Sequence, residues 1–274
     1  MAIKLILLDL DGTLLTSDKK ISPVNYAALE RAHQQGVHIV PSTGRFFDGI
    51  PQVVRDLPFV RYAITVNGAQ IYDRQEDRIL HRAEISPGDA QRIYDRLDTL
   101  PVIYDCFMDG WGYMDRSHYE RIDQFIPDPR VNQMVKDLRK PVDDFRLFMR
   151  RENRSVQKIQ MFFTDMALRE KAWAELIEAF PEMAVTSSIT NNVEINEKHA
   201  NKGEALGILC RHLGLEISQS MSFGDGSNDL SMIRAAGIGV AMANAAQSLL
   251  DAADYVTDTN DNDGVAKAIA KFVF

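Results

Sequence analysis

Apolar runs that end abruptly in aspartate, serine or glycine recur along this chain, and stretches of helical length lie between them. Residues 3–8 are nearly all apolar, the pattern of a strand buried on both faces of a parallel sheet. Ser22-Pro23 reads as an N-cap with proline at the first helical position, opening a helix that runs to about Gln35. Gly36 stops it, and residues 37–40 form a second buried strand. A helix over 47–57 and a strand over 62–66 follow. Strand and helix alternating in this way predict an α/β sheet with crossover helices.

The rhythm changes after Asn67-Gly68-Ala69. Short extended pieces at 70–72 and 79–82 lead to a helix over 87–97. Paired strands at 102–108 and 112–115 are separated by Asp109-Gly110, a strong turn signal. Ile159, Met161 and Phe163 alternate as in a half-buried strand. A helix over 167–180 and short strands at 185–188 and 193–195 complete an α+β pattern. The α/β rhythm returns at Lys202, with a helix to about His212 closed by Gly214 and a buried strand over 219–223. A helix from Ser227, a strand over 238–240 and a last helix over 262–272 follow. The organisation expected is one α/β core made of residues 1–83 and 191–274, with residues 84–190 inserted as a separate α+β unit. Such an insertion is expected to move as a lid, hinged near 81–86 and 190–196.

Composition narrows the picture only at its edges. With 274 residues, 45% of them hydrophobic, the chain can bury one large core or two smaller ones. A formal net charge of −8 argues against a nucleic-acid partner, which needs a basic surface. A small phosphorylated partner is compatible with it, because a bound cation and one or two basic side chains reverse the local sign. No stretch approaches the roughly 20 apolar residues of a membrane span, and Asp9 and Asp11 arrive too soon for a signal peptide. Cys106 and Cys210 are far apart and lack a C-x-x-C spacing, so two buried thiols in a cytoplasmic protein are expected. The six histidines show no metal-ligand or triad spacing. Oligomeric state is not legible.

Four short segments carry the chemistry: Asp9-Leu10-Asp11-Gly12-Thr13, Ser42-Thr43-Gly44-Arg45, Asn201-Lys202-Gly203 and Gly224-Asp225-Gly226-Ser227-Asn228-Asp229. Asp9 ends the first strand, where ligands gather in open α/β sheets. Residues two apart in an extended chain point to the same side, so Asp9 and Asp11 can converge. One would then attack phosphorus while the other delivers and removes a proton. A solvated turn explains Asp11-Gly12 alone but not the charge at Asp9. Thr43, beside flexible Gly44, can hold phosphoryl oxygens or cap a helix, and Ser42 competes for that role. Lys202 opens a helix, where a cation is slightly unfavourable against the dipole, which suits a phosphate ligand among aspartates. Asp225, Asn228 and Asp229 share one side if their turn is helical, and carboxylates suit a hard cation such as Mg²⁺. Asp258, Asp261 and Asp263 read as a loop and helix cap.

As an ordered set, with Asn67-Gly68-Ala69 between the second and third, these segments resemble the haloacid dehalogenase-like phosphatases, specifically the Cof-type group. The resemblance implies a Rossmann-like core and a type 2 cap as the insertion. It implies Asp9 as nucleophile forming an aspartyl-phosphate and Asp11 as general acid/base with its carbonyl on the metal. It further implies Thr43, Gly44, Lys202 and Asn228 around the phosphoryl group. Asp9, Asp11 and Asp225 would lie on Mg²⁺, with Asp229 supporting them. Pro41-Ser42 departs from the usual apolar and small residues, which leaves Ser42 and Thr43 both open. The activity implied is a Mg²⁺-dependent phosphatase acting on a sugar phosphate or similar phosphomonoester. A phosphomutase and a non-catalytic phosphometabolite-binding protein are the alternatives.

Overall fold

The computed structural model describes residues 2–274; Met1, the first residue of the core as bounded from the sequence, lies outside the described residues. Strand β1 (Leu5–Leu8) is buried at every position. Its alternate side chains serve two cores. Ile6 and Leu8 join Leu29, Val265 and Ile269 on one face, and Leu5 and Leu7 join Leu206, Leu209 and Met232 on the other. Burying each such side chain contributes about 1.5–3 kcal/mol, so this one strand ties both helical layers to the sheet. Helix α1 (Pro23–Gln34) starts as expected, with the Ser22 hydroxyl accepting from the Asn25 N–H at 3.0 Å.

Strand β2 (His38–Pro41) follows. The helix expected over 47–57 is instead a 3₁₀ turn at Phe47–Gly49 and a single turn, α2 (Gln52–Arg55). Pro51, between them, has no N–H to continue the ladder. Strands β3 (Tyr62–Thr65), β4 (Gln70–Asp73) and β5 (Arg78–Arg82) make a small antiparallel sheet. A single parallel bridge between Ser42 and Ile64 links it to the end of β2.

The inserted unit runs α3 (Pro87–Leu97), β6 (Ile103–Met108), β7 (Trp111–Asp115), α4 (Arg116–Tyr119), α5 (Ile122–Phe125), α6 (Pro129–Asp137), β8 (Arg139–Val142), α7 (Phe145–Glu152), β9 (Lys158–Phe162), α8 (Met166–Ala179), β10 (Met183–Thr186) and β11 (Asn192–Glu197). Its sheet has the order β10-β11-β9-β6-β7-β8. Neighbours are antiparallel except β7 and β8. The β6–β7 hairpin turns at Asp109-Gly110, both with positive φ. Strand β9 is buried along its whole length rather than half-buried. Its polar positions are satisfied internally: Lys158 Nζ donates to Glu194 at 2.9 Å, and Gln160 donates to Asp105 at 3.0 Å.

The chain then returns through α9 (Lys202–Leu213), β12 (Ser220–Gly224), α10 (Leu230–Ala235), β13 (Ile238–Ala241), α11 (Gln247–Leu250), β14 (Tyr255–Val256) and α12 (Gly264–Phe272). The core sheet is parallel, in the order β14-β13-β12-β1-β2. The protein is therefore α/β, with a parallel-sheet core and an inserted α+β unit. Two compact units result, one of the residues up to Arg82 with Ala200–Phe274, the other Ala83–His199. Because β11 pairs with both β9 and β10, most of residues 190–196 form an interior strand of the inserted sheet and not the start of the returning core. Among the described residues no helix is long and apolar enough to cross a membrane. Cys106 and Cys210 are both buried and free.

Candidate active site

The site lies at the carboxyl ends of β1, β2 and β12. Asp9 continues β1, and its N–H donates to the Phe223 carbonyl of β12 at 3.0 Å. Its side chain meets Lys202, the first residue of α9. Lys202 Nζ donates to Asp9 Oδ1 and to Asp229 Oδ1, each at 2.6 Å. Lys202 is 0% exposed, Asp229 1% and Asp9 7%, so this ion triad is buried. Asn201 N-caps α9 by accepting from the Glu204 N–H at 2.9 Å, which fixes where Lys202 begins.

Asp225 follows β12. Its Oδ1 accepts from the Thr13 hydroxyl at 2.8 Å. Gly12, at φ +86°, leaves room for it: a Cβ there would sit 2.4 Å from Asp225 Oδ2. Carboxylate oxygens of Asp9, Asp225 and Asp229 all lie within 4.8 Å of one another.

Electrostatics test whether a cation fits. Burial pushes the Asp9 carboxyl well above its usual range, with Asp229 and Asp225 adding to the effect and Lys202 opposing it. Asp225 is raised to about 7, chiefly by burial and then by Asp229. Burial works against the Lys202 charge, but Asp229 and Asp9 reverse this and hold its pKa above the ordinary value. Asp9 and Asp229 thus share one buried ammonium with the Asp225 carboxylate close by, an excess of negative charge that a divalent cation would relieve. Asp229 has both oxygens engaged, Oδ2 accepting from the Asp225 and Gly226 N–H groups at 3.0 and 2.9 Å. Asp9 and Asp225 each bring an oxygen outside those bonds. These residues fit a hard cation held mainly by Asp9 and Asp225.

Asp11 goes elsewhere. Arg45 grips its carboxylate through two bonds of 2.9 and 3.0 Å, and Lys19 adds a third at 2.7 Å. Although burial works against its charge, Arg45 and Lys19 hold Asp11 down at about 2. The convergence expected of Asp9 and Asp11 is therefore loose: Asp11 is near enough to Asp225 to raise its pKa, but its side chain is bound to the Arg45 side of the site.

Thr43 is buried at 2% exposure, and its hydroxyl oxygen accepts from the Arg45 N–H at 3.2 Å. Ser42 is also buried, and its hydroxyl has no partner among the described residues, so both remain candidates on geometry. Gly44 lies against Asn67, whose Oδ1 would be 2.9 Å from a Cβ at Gly44. Asn228, Asp225 and Asp229 do not share one side. Their turn is 3₁₀ at Ser227–Asp229; Asp229 folds back inward, while Asn228 Nδ2 reaches Asn67 Oδ1 at 3.1 Å. Thr13, Lys19, Arg45 and Asn67 are site residues that the sequence reading did not select. Thr13, Arg45 and Asn67 stood inside motifs already singled out. Asp258 pairs with Lys267, Asp261 with Ser17 and Asp263 with Ser22, so that acidic loop is a structural clasp.

Residues 6–269 match the family of haloacid dehalogenase-like hydrolases. Phosphatase YwpJ of Bacillus subtilis is 32% identical, covering 96% of this chain and 97% of that one. The 5-amino-6-(5-phospho-D-ribitylamino)uracil phosphatase YcsE of the same organism is 31% identical over 99% and 96%. A solved haloacid dehalogenase-like hydrolase from B. subtilis superposes with a TM-score of 0.85 at 30% identity, covering 98% of this chain and 99% of that one. A family match over nearly the whole chain, together with relatives of this similarity, places the buried Asp9–Lys202–Asp229 triad in a known lineage: the chain belongs to the haloacid dehalogenase-like hydrolases and is a phosphatase of that family.

Proposed function

We propose that this enzyme hydrolyses a small phosphorylated metabolite, a sugar phosphate or similar phosphomonoester, with Mg²⁺ as cofactor and an aspartyl-phosphate on Asp9. The observation that carries the reading is the cluster of Asp9, Asp225 and Asp229 carboxylates, two of which, Asp9 and Asp229, are buried on a single ammonium. The relative named for a phosphoribityl-aminouracil substrate supports a small phosphorylated substrate. Mg²⁺, held by Asp9, Asp225 and the Asp11 carbonyl, would supply positive charge against the phosphoryl oxygens and Asp9.

The chain's own groups divide the work. Lys202 orients Asp9, one of whose carboxylate oxygens attacks phosphorus while the other would lie on the cation. As that bond forms, the ester P–O bond breaks and the leaving oxygen takes a proton from Asp11. Asp11 then accepts a proton from water, whose oxygen attacks phosphorus and releases phosphate and Asp9. Asp11, whose charge Arg45 and Lys19 favour, suits the second half, and the first requires it to take up a proton away from Arg45. Thr43, Gly44, Lys202 and Asn228 hold the phosphoryl oxygens, while Asp229 keeps Lys202 and the Asp225 loop in place.

The test is a phosphate-release screen over a panel of phosphorylated metabolites with Mg²⁺ and with excess chelator. Release with Mg²⁺ that chelator abolishes is the expected result. Undiminished release in chelator would remove the cation. Transfer of phosphate between positions of a sugar without release would make the enzyme a mutase.

A further inference from the structure

The segment between β3 and β4 carries the most unusual backbone in the core. Val66, Asn67 and Gly68 have φ of +50°, +59° and +103° in succession. A positive φ is common enough for asparagine, but for a β-branched residue it is an outlier. Val66 is 0% exposed and Asn67 3%, so solvent does not compensate the strain. Such outliers concentrate at functional sites, where surrounding structure holds them.

What holds this one is the substrate end of the core. The Val66 N–H donates to the Arg45 carbonyl at 2.9 Å, and the Asn67 N–H donates to the Thr43 carbonyl at 3.0 Å. Gly68 abuts Asn201, the cap of α9: a Cβ on Gly68 would lie 2.4 Å from the Asn201 backbone. The turn therefore wedges between the Thr43–Arg45 loop and the residue preceding Lys202. From that wedge the Asn67 side chain crosses Gly44 and accepts from Asn228 Nδ2. Joining two antiparallel strands does not require a left-handed valine, since glycine or asparagine at that position would relieve the strain. The strained geometry instead sets one buried amide between two loops that come from opposite ends of the sequence.

We propose that Asn67 is a positioning residue for phosphoryl binding: its amide fixes the Asn228 side chain relative to Thr43 and Gly44. This rests on the reading of Asn228 as a phosphoryl ligand. Its effect passes through Asn228, so the two residues act as one unit.

The test compares Asn67→Gly, Asn228→Ala and the double variant in the full chain. The readouts are inhibition by inorganic phosphate, KM and kcat for p-nitrophenyl phosphate, and Tm. Asn67→Gly accepts the same backbone, so Tm should stay within about 2 °C. Its phosphate inhibition constant and KM should rise about 3- to 10-fold, the worth of one hydrogen bond. The double variant should bind phosphate no worse than Asn228→Ala alone, because coupled residues are non-additive. Asn67→Ser, polar but too short to reach Asn228, should match Asn67→Gly and serves if the glycine variant does not fold. Wild-type phosphate binding in the Asn67 variants, with Asn228→Ala impaired, overturns the inference alone. Multiplicative losses in the double variant also overturn it, since Asn67 would then act without Asn228. Unaltered phosphate binding in Asn228→Ala removes the reading of Asn228 and the inference with it.

Discussion

Replacing Asp225 by asparagine should stabilise the metal-free enzyme while disabling it. The introduced amide oxygen would still accept from the Thr13 hydroxyl, now 2.8 Å from Asp225 Oδ1, so the perturbation is chiefly the loss of one negative charge. In the metal-free protein the Asp225 pKa is about 7 against an ordinary 3.8, chiefly through burial and the Asp229 charge. That gap corresponds to ~4 kcal/mol of destabilisation well above pH 7. Asp225 is not fully buried, and solvent screening reduces the figure to about 2 kcal/mol. For a unit of this size, that is a rise in Tm of roughly 5 °C.

The sign fixes the pH window. Between pH 3.8 and about 7 the folded state binds more protons at Asp225 than the unfolded chain does, so wild-type stability falls as pH rises through this range. The variant lacks that slope. Its advantage should be absent near pH 4 and full at pH 8.5, measured as melting of the core unit in chelator. Added Mg²⁺ should raise wild-type Tm and close the gap, with a far smaller effect on the variant. An equal advantage at both pH values, or a variant less stable than wild type at pH 8.5 in chelator, would refute the account of Asp225 as a carboxylate awaiting a cation.

Three further outcomes follow from the same geometry. Asp9→Asn should remove phosphoenzyme and lower the rate by at least roughly 10³-fold, whereas Asp11→Asn with a good leaving group should accumulate phosphoenzyme, both read by acid quench and mass measurement. Thr13→Val, which keeps the buried volume but frees Asp225 Oδ1, should raise the Mg²⁺ concentration for half-maximal activity by about 10-fold or more, seen in a metal titration. Gly68→Ala should destabilise the core by more than about 2 kcal/mol, because its backbone conformation and the Asn201 contact both exclude a Cβ, and a denaturant titration measures it.

The sequence disclosed those parts of the site whose oddness is local. A charge at Asp9, at the end of a strand otherwise buried on both faces, conflicts with its surroundings unless it has work to do. Lys202 at a helix N-terminus and Asp225 before a helix stand out in the same way. The core sheet was legible because its strands are short apolar runs punctuated by Gly36, Gly214 and Asp9. Residues 116–152 were opaque, and three of the five elements there, α4, α5 and β8, have only four residues each, too few to show a period.

What stayed hidden depends on closure of the chain over long separations. Thr13 reaches Asp225 across 212 positions, and Asn228 reaches Asn67 across 161. No local pattern announces that Thr13 is a clamp rather than another turn residue. Asp11 shows the limit most clearly. Its spacing from Asp9 predicts a shared side, but the chain turns at Gly12 and Arg45 and Lys19 capture the carboxylate. The turn at Ser227–Asp229 likewise separates Asn228 from Asp229, because a 3₁₀ turn with Asp229 bonded back to the Asp225 and Gly226 N–H groups replaces the helical face that the i, i+3, i+4 spacing implied. In both cases the residue types were readable and the directions were not, since direction was decided by partners from another part of the chain. That division explains why the strained Val66–Gly68 turn matters: it is where the loop after β2, the cap of α9 and the loop after β12 are brought to a common register.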